Sequence, residues 1–238
     1  MKTFAFIFAR GGSKGVPGKN IREMAGKPLL AYSIDMAHEI EPVDKVFVST
    51  DDPAIATIAR NYGANVIDRP EELAQDDTPE WLAWQHAVKW IQEQNERFDV
   101  FLSLPTTSPL RKKDDVLKCL NKLDERFDVV VTITETNRSP WFNMVKMNDV
   151  GSLRLLVEGK KHYMRRQDAP KTFDMTTVTY VTRPNFILNN QKIWDGKVAG
   201  VLIPLERAVD IDDELDFEIA EFLLQREAVT NKAGFHAK

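Results

Sequence analysis

Apolar positions along this chain fall into short continuous runs, separated by segments with helical spacing. Residues 2–9 are aromatic and β-branched and end at a glycine-rich segment, so they read as a buried strand. Over 28–39, Leu29, Leu30, Ile34, Met36 and Ala37 repeat as on a helix, with Pro28 suited to the first turn. Residues 44–50 predict the next strand. "DDPAIATIARNYG" predicts a short helix, with Asp52 as N-cap and Gly63 as C-cap. The alternation continues with strand 64–67, a Trp-rich helix at 78–94, strand 99–104, helix 113–126 and strand 128–134. Strands resume at 178–182 and 198–203. An amphipathic helix over 213–226 closes the chain, with a frayed tail from residue 230.

This order predicts a single α/β domain over 1–238, doubly wound on a mainly parallel sheet with right-handed crossovers. Ligands of such sheets gather at the carboxyl ends of strands. The loops after Ala9, Thr50, Leu104 and Ile203 would then share one crevice. Residues 135–173 break the pattern: they are polar, rich in Asn and Arg, and carry the turn signal "NDVGS". They read as an antiparallel excursion serving as a dimerisation arm, which makes a homodimer the expected assembly.

The size allows a core that needs no disulfide or metal staple. Lys plus Arg number 32 against 36 Asp plus Glu, a net charge of -4, which argues against broad nucleic-acid binding. Any bound anion must meet a local cationic site. The lone cysteine, Cys119, reads as a small buried side chain on a helix. The apolar run 4–9 is too short to span a bilayer or to serve as a signal core. The expected location is the cytoplasm, with no membrane partner. Trp81, Trp84 and Trp90 read as packing on one helix. His38, His86, His162 and His236 show no metal-ligand spacing.

The densest chemistry lies in "FARGGSKGVPGKN", residues 8–20, where four glycines accompany Arg10, Lys14 and Lys19. Glycines let backbone amides approach an anion, and the cations add charge around it. A Walker A loop has four residues between its glycines and a closing Ser or Thr. Here five residues lie between Gly12 and Gly18 and Asn20 ends the run, so a P-loop kinase or NTPase does not fit. Near the other end, "DID" places Asp210 and Asp212 on one side of an extended segment, with Ile211 facing away. Two hard carboxylates plus phosphates and waters suit Mg2+. They would equally serve as caps of the last helix, beside a third candidate, Asp213.

"ARGGSKGVPGKNIREMAGKPLLAYSI" is similar to the opening signature of the acylneuraminate cytidylyltransferase family, the CMP-sialic acid synthetases. "STDDPAIATIARNYGANVIDRPEELAQD", "LPTTSPLR", "RRQDAPKTF" and "VDIDDELDFEIAE" resemble its later blocks, in order and across almost the whole chain. The resemblance implies a nucleotide-diphospho-sugar transferase fold with a small dimerisation domain. It also implies transfer of CMP from CTP to a 2-keto-3-deoxy sugar acid, with pyrophosphate released. Under it, Arg10, Ser13, Lys14, Lys19, Asn20, Arg69 and Ser108 bind the nucleotide, and Arg111, Arg166, Gln167 and Tyr180 face the sugar acid. Asp210 and Asp212 hold the metal and, with Lys19, carry catalysis. Pro105 stands where the family usually has a glutamine, and Thr176 and Thr177 where it has Asn-Gly. Both departures fall among sugar-facing positions, so the reaction is kept while the sugar is open. A related transferase using another base such as GTP, and a non-catalytic nucleotide- or sugar-binding module, remain as alternatives.

Overall fold

The computed structural model describes residues 1–159 and 163–234. From the N-terminus, β1 (Thr3–Phe8) leads through the glycine-rich loop to a small hairpin, β2 (Glu23–Met24) and β3 (Lys27–Pro28), and then to α1 (Leu29–Glu39). The sequence from there is β4 (Val43–Thr50), α2 (Pro53–Asn61), β5 (Asn65–Asp68), α3 (Glu80–Glu93), β6 (Val100–Ser103), α4 (Lys113–Lys122) and β7 (Val129–Glu135). A hairpin, β8 (Val145–Met147) with β9 (Leu153–Leu155), occupies the excursion. It is followed by β10 (Phe173–Thr182), α5 (Pro184–Asn189), β11 (Val198–Leu202) and α6 (Glu214–Gly234).

Seven strands form one sheet in the order β11-β7-β10-β6-β1-β4-β5. All pairings are parallel except those of β10, which runs antiparallel between β6 and β7. Helices cover both faces, as predicted. On β1 the period of two sorts the core. Ala5 and Ile7 pack with Leu30 and Ile34 of α1, Ile55 of α2 and Val116 of α4. Phe4 and Phe6 face the other way, onto Trp84 and Val88 of α3. Each large side chain buried here stabilises the fold by roughly 1.5–3 kcal/mol. Trp81 and Trp84 are buried and Trp90 packs at the edge, the packing role expected of them. Cys119 is fully buried, and burial pushes its thiol up to about 12, which keeps it inert.

Local chemistry explains the boundaries. Asp52 caps α2 by accepting from the amides of Ala54 at 2.7 Å and Ile55 at 3.1 Å. That helix ends at Tyr62, followed by Gly63 at φ +83, a left-handed conformation that suits glycine. The β2–β3 hairpin turns on Ala25 and Gly26, both at positive φ. The last helix continues past residue 226 to Gly234, longer than its apolar pattern indicated. Residues 160–162 and 235–238, which include His162 and His236, lie outside the described residues.

A third apolar cluster ties the two ends of the chain together. Val16 of the glycine loop, Met24 and Leu29 pack with Ile211, Phe217 and Ala220. Arg22 reinforces it with a two-oxygen ion pair to Glu214, at 2.7 and 2.6 Å, and lies over the Phe217 ring. The Lys19 ammonium donates to the Ile211 carbonyl. Gly15 sits so close to the Asp212 carbonyl oxygen that a Cβ there would overlap it. Gly15→Ala is therefore expected to pry the loop from the carboxylate segment, at a cost of about 1–3 kcal/mol. Thermal melting together with turnover checks this. A variant that melts and turns over like the wild type would show that the contact tolerates a methyl group.

Candidate active site

A crevice opens at the carboxyl ends of the parallel strands, as the topology requires. Its cavity of about 330 Å³ is lined by Arg10, Arg69, Asp76, Glu80, Tyr180, Asp210 and Asp212, among others. Three of the four expected loops take part. The loop after β4 does not line it, because Asp51 and Asp52 brace the glycine loop from behind. Asp51 accepts from the Gly11 amide at 3.1 Å, and a side chain at Gly11 would meet Asp52. The segment after β5 replaces it, contributing Arg69, Gln75, Asp76 and Thr78.

The extended backbone at 210–212 puts both carboxylates on the crevice wall and Ile211 in the core. Neither is used as a helix cap. Asp213 accepts from the Asp216 amide at 3.0 Å, while Asp216 accepts from the amides of Asp212 and Asp213, so α6 caps itself. One oxygen of Asp210, Oδ1, is buried with no hydrogen-bond partner. Burial and the neighbouring Asp210 charge push the Asp212 carboxyl up, while Lys19 draws it down. Among the described residues no cluster of three or more His, Cys, Asp or Glu could hold a metal. Two carboxylates, one with an unpaired buried oxygen, fit a hard cation that takes its remaining ligands from phosphate and water.

Opposite them stand the cations. Burial lowers the Lys19 pKa, against the pull of Asp212 and Asp210. Arg69 is buried and held by Ser49, Nε to Oγ at 3.1 Å and Nη2 to the carbonyl at 2.6 Å. Burial lowers it to about 10, so it stays charged at neutral pH. Arg10 reaches the Ala74 carbonyl and Asp76, and Lys14 also pairs with Asp76. Ser13 lies in the same loop, half-buried. Tyr180 is raised to about 12, by burial first and then by Glu80 and Asp210, so its hydroxyl remains a donor.

Several expected ligand contacts take other positions. Arg111 is buried and spends its guanidinium on the Val178 carbonyl at 3.0 Å, Ser33 Oγ at 2.7 Å and the Pro105 carbonyl. Burial lowers it to about 9. It shapes the wall from behind and does not face the crevice. Ser108 is fully buried, with its hydroxyl 2.9 Å from that of Thr177. Asn20 is buried as well. Its amide donates to the Arg10 carbonyl at 3.0 Å and its oxygen accepts from Thr106 at 2.7 Å, which fixes the loop on β6. Thr176 donates to Thr132 at 2.7 Å inside the sheet, so of the two threonines only Thr177 lines the crevice, with Pro105. Arg166 and Gln167 line a separate cavity of about 220 Å³ at the base of the arm, with Arg138, Ser139 and Lys171.

Glu80 escaped the sequence reading. It begins α3 at the crevice wall and accepts from the Trp84 indole at 3.1 Å. The residue keeps an exposed face, yet the protein packed around its carboxyl pushes that group up, with the Trp84 hydrogen bond and then Arg69 opposing. A polar residue opening a helix gives no signal of this kind. Asp76 was hidden in the same way by a stretch that reads as solvated loop.

A cationic glycine loop facing two carboxylates, at the strand ends of a doubly wound sheet, defines a nucleotidyltransferase. The chain belongs to the cytidylyltransferase family, whose model matches residues 4–231, and it is a CTP-using enzyme of that class. It is 34% identical over 231 residues to the CMP-N,N'-diacetyllegionaminic acid synthase of Campylobacter jejuni, covering 95% of this chain and 96% of that protein. It is 33% identical over 230 residues to the post-translational flagellin modification protein B of Campylobacter coli, with 95% and 96% covered. Its fold matches CMP:2-keto-3-deoxy-manno-octonic acid synthetase complexed with CTP, with a TM-score of 0.70 and 17% identity over 95% of this chain and 100% of that one.

Removing Arg111 would take a charged donor from three interior acceptors, leaving the Val178 carbonyl to Thr179 and the Pro105 carbonyl to Ser33. Arg111→Met is expected to cost about 3–5 kcal/mol of stability while the folded fraction still binds CTP. Denaturant unfolding and CTP titration together check this. An unchanged unfolding midpoint with a raised KM for the sugar would return Arg111 to the substrate-facing set.

Proposed function

We propose that the enzyme transfers CMP from CTP to a 2-keto-3-deoxy sugar acid of the sialic acid type, releasing pyrophosphate. One observation carries this reading: Arg10 of the glycine loop shares a single crevice with the Asp210–Asp212 pair, and Lys19 of the same loop feels the charge of both carboxylates, in a chain of cytidylyltransferase descent. Arg10, Lys14 and Lys19 would neutralise the β- and γ-phosphates, which both binds CTP and improves the leaving group. Arg69 would add a fixed charge on the nucleotide. Asp210 and Asp212 would hold Mg2+, which when bound supplies Lewis-acid polarisation of phosphate oxygens. Tyr180, kept protonated, would donate to the sugar and orient its anomeric hydroxyl for in-line attack on the α-phosphorus.

Pro105 and Thr177 lie on the same wall; Pro105 offers no side-chain hydrogen bond, and the Thr177 hydroxyl cannot copy the paired donor and acceptor of an amide. This supports a sugar other than N-acetylneuraminate, and the legionaminic acid relative makes a related nonulosonate the first choice. The arm supports a homodimer: Val145, Met147, Leu153, Phe173 and Met175 are exposed apolar side chains on or beside it. Arg166 and Gln167 stand apart from this chain's own crevice. For them to serve a sugar acid, the arm must bring them to the crevice of a second copy. The single, buried cysteine fits a cytoplasmic setting, and no helix among the described residues is long and apolar enough to cross a membrane.

Incubation with CTP, Mg2+ and a panel of nine- and eight-carbon sugar acids is expected to release pyrophosphate with at least one of them. N-acetylneuraminate should not be the best. Tight CTP binding with no release for any 2-keto-3-deoxy acid would defeat the reading, and a preference for GTP would redirect it. Asp212→Asn should lower kcat by about 100-fold or more while CTP affinity changes far less. Unchanged turnover would remove Asp212 from metal binding.

A further inference from the structure

Two cations of the glycine loop, Arg10 on the crevice wall and the exposed Lys14, are already engaged. Asp76 Oδ1 lies 2.5 Å from Arg10 Nη1, and its other oxygen pairs with the Lys14 ammonium. The same Arg10 nitrogen donates to the Ala74 carbonyl at 3.3 Å. One short segment after β5 therefore spans the crevice mouth and grips the glycine loop on the far side. The segment keeps its own shape independently: Gln75 donates to the Glu71 carbonyl at 2.8 Å and Thr78 to the Glu72 carbonyl at 3.0 Å. Its link to the glycine loop is the two Asp76 ion pairs, with the long Arg10 bond to the Ala74 carbonyl beside them. Hydrogen bonds from Lys14 and then Arg10 hold the Asp76 carboxyl below the usual carboxylate range, so it is charged at neutral pH.

A carboxylate bridging two cations has the charge and reach of a phosphate group bound between them. We propose that Asp76 is a positioning residue that stands in for the polyphosphate. It holds Arg10 and Lys14 across the crevice and exchanges with the β- and γ-phosphates when CTP binds. It exchanges back when pyrophosphate leaves. The proposal rests on the phosphate role given to Arg10 and Lys14 above. Asp76 is tethered and always present, so it competes at high effective concentration. The polyphosphate, with more charge, wins when bound, at reduced net affinity. The gain comes after chemistry, when a waiting carboxylate recaptures the cations and speeds release of a product that would otherwise cling to them. The Lys14 pair is largely exposed and the Arg10 pair partly so, which keeps the exchange shallow enough to reverse in each turnover.

The test uses Asp76→Asn, which keeps the shape and removes the charge at an exposed site. Calorimetry should show inorganic pyrophosphate binding roughly 3- to 10-fold tighter than in the wild type. In steady state, kcat and the KM for CTP should fall together, and Asp76→Glu, which keeps the charge, should restore wild-type values. A residue that only shaped the segment would shift neither product affinity nor this pairing of constants. Pyrophosphate binding that is unchanged or weaker in Asp76→Asn overturns the proposal. Arg10→Ala and Lys14→Ala are measured in parallel, each expected to weaken pyrophosphate binding about 10-fold or more. If those two leave it unchanged, the phosphate clamp itself is misassigned, whatever Asp76→Asn does.

Discussion

The active site depends on a joint between two segments that lie 192 residues apart, where the Lys19 ammonium meets the Ile211 carbonyl. Gly15 packs directly on the Asp212 backbone, with room for no side chain. Val16, Ile211 and Phe217 bury an apolar patch beneath the contact, and the Arg22–Glu214 pair clamps its edge. A cationic glycine loop fastened in this way cannot drift from the carboxylates beside it. The joint keeps the Asp210–Asp212 carboxylates and the cations of the glycine loop in one register.

Placing opposite charges in a partly dry crevice has a cost that is visible in the titrating groups. Burial pushes Lys19 and Arg69 down and Asp212 up, so each is held somewhat against its preferred charge state. Their mutual attraction offsets part of that cost. A triphosphate with its cation would offset more of it, since both sets of charges would then be neutralised in place. Asp210, with one buried oxygen unpartnered, is the clearest sign that the site is built for a further ligand. The crevice is pre-organised for charge that arrives with the substrate.

The sheet and its layers were legible because β1, β4, β6 and β7 are continuous apolar runs between helical patterns, and periodicity reports that directly. The antiparallel insertion of β10 was not legible, since a strand's apolar pattern says nothing of its direction. In the site, Arg10, Lys19, Asp210 and Asp212 stood out in the glycine loop and the Asp-Ile-Asp run, while Arg69 and Tyr180 came from the family resemblance; all but Lys19 line the crevice, and Lys19 joins it through the Ile211 carbonyl. Arg111, Ser108 and Asn20 were read as ligand contacts from the family resemblance, and nothing in a sequence marks such polar residues as buried. In the fold they hold up the wall that the ligand would meet. Glu80 and Asp76 were missed for the converse reason, since solvated loops and helix starts are full of carboxylates.

If the joint makes the loop and the carboxylate pair one catalytic unit, their losses cannot be independent. A double-mutant cycle on kcat/KM with Lys19→Met and Asp212→Asn measures this directly. The account predicts that the double variant is little worse than the poorer single one, with a coupling of about 1 kcal/mol or more. Simple additivity of the two losses would contradict it, showing that the two segments act separately despite their contact.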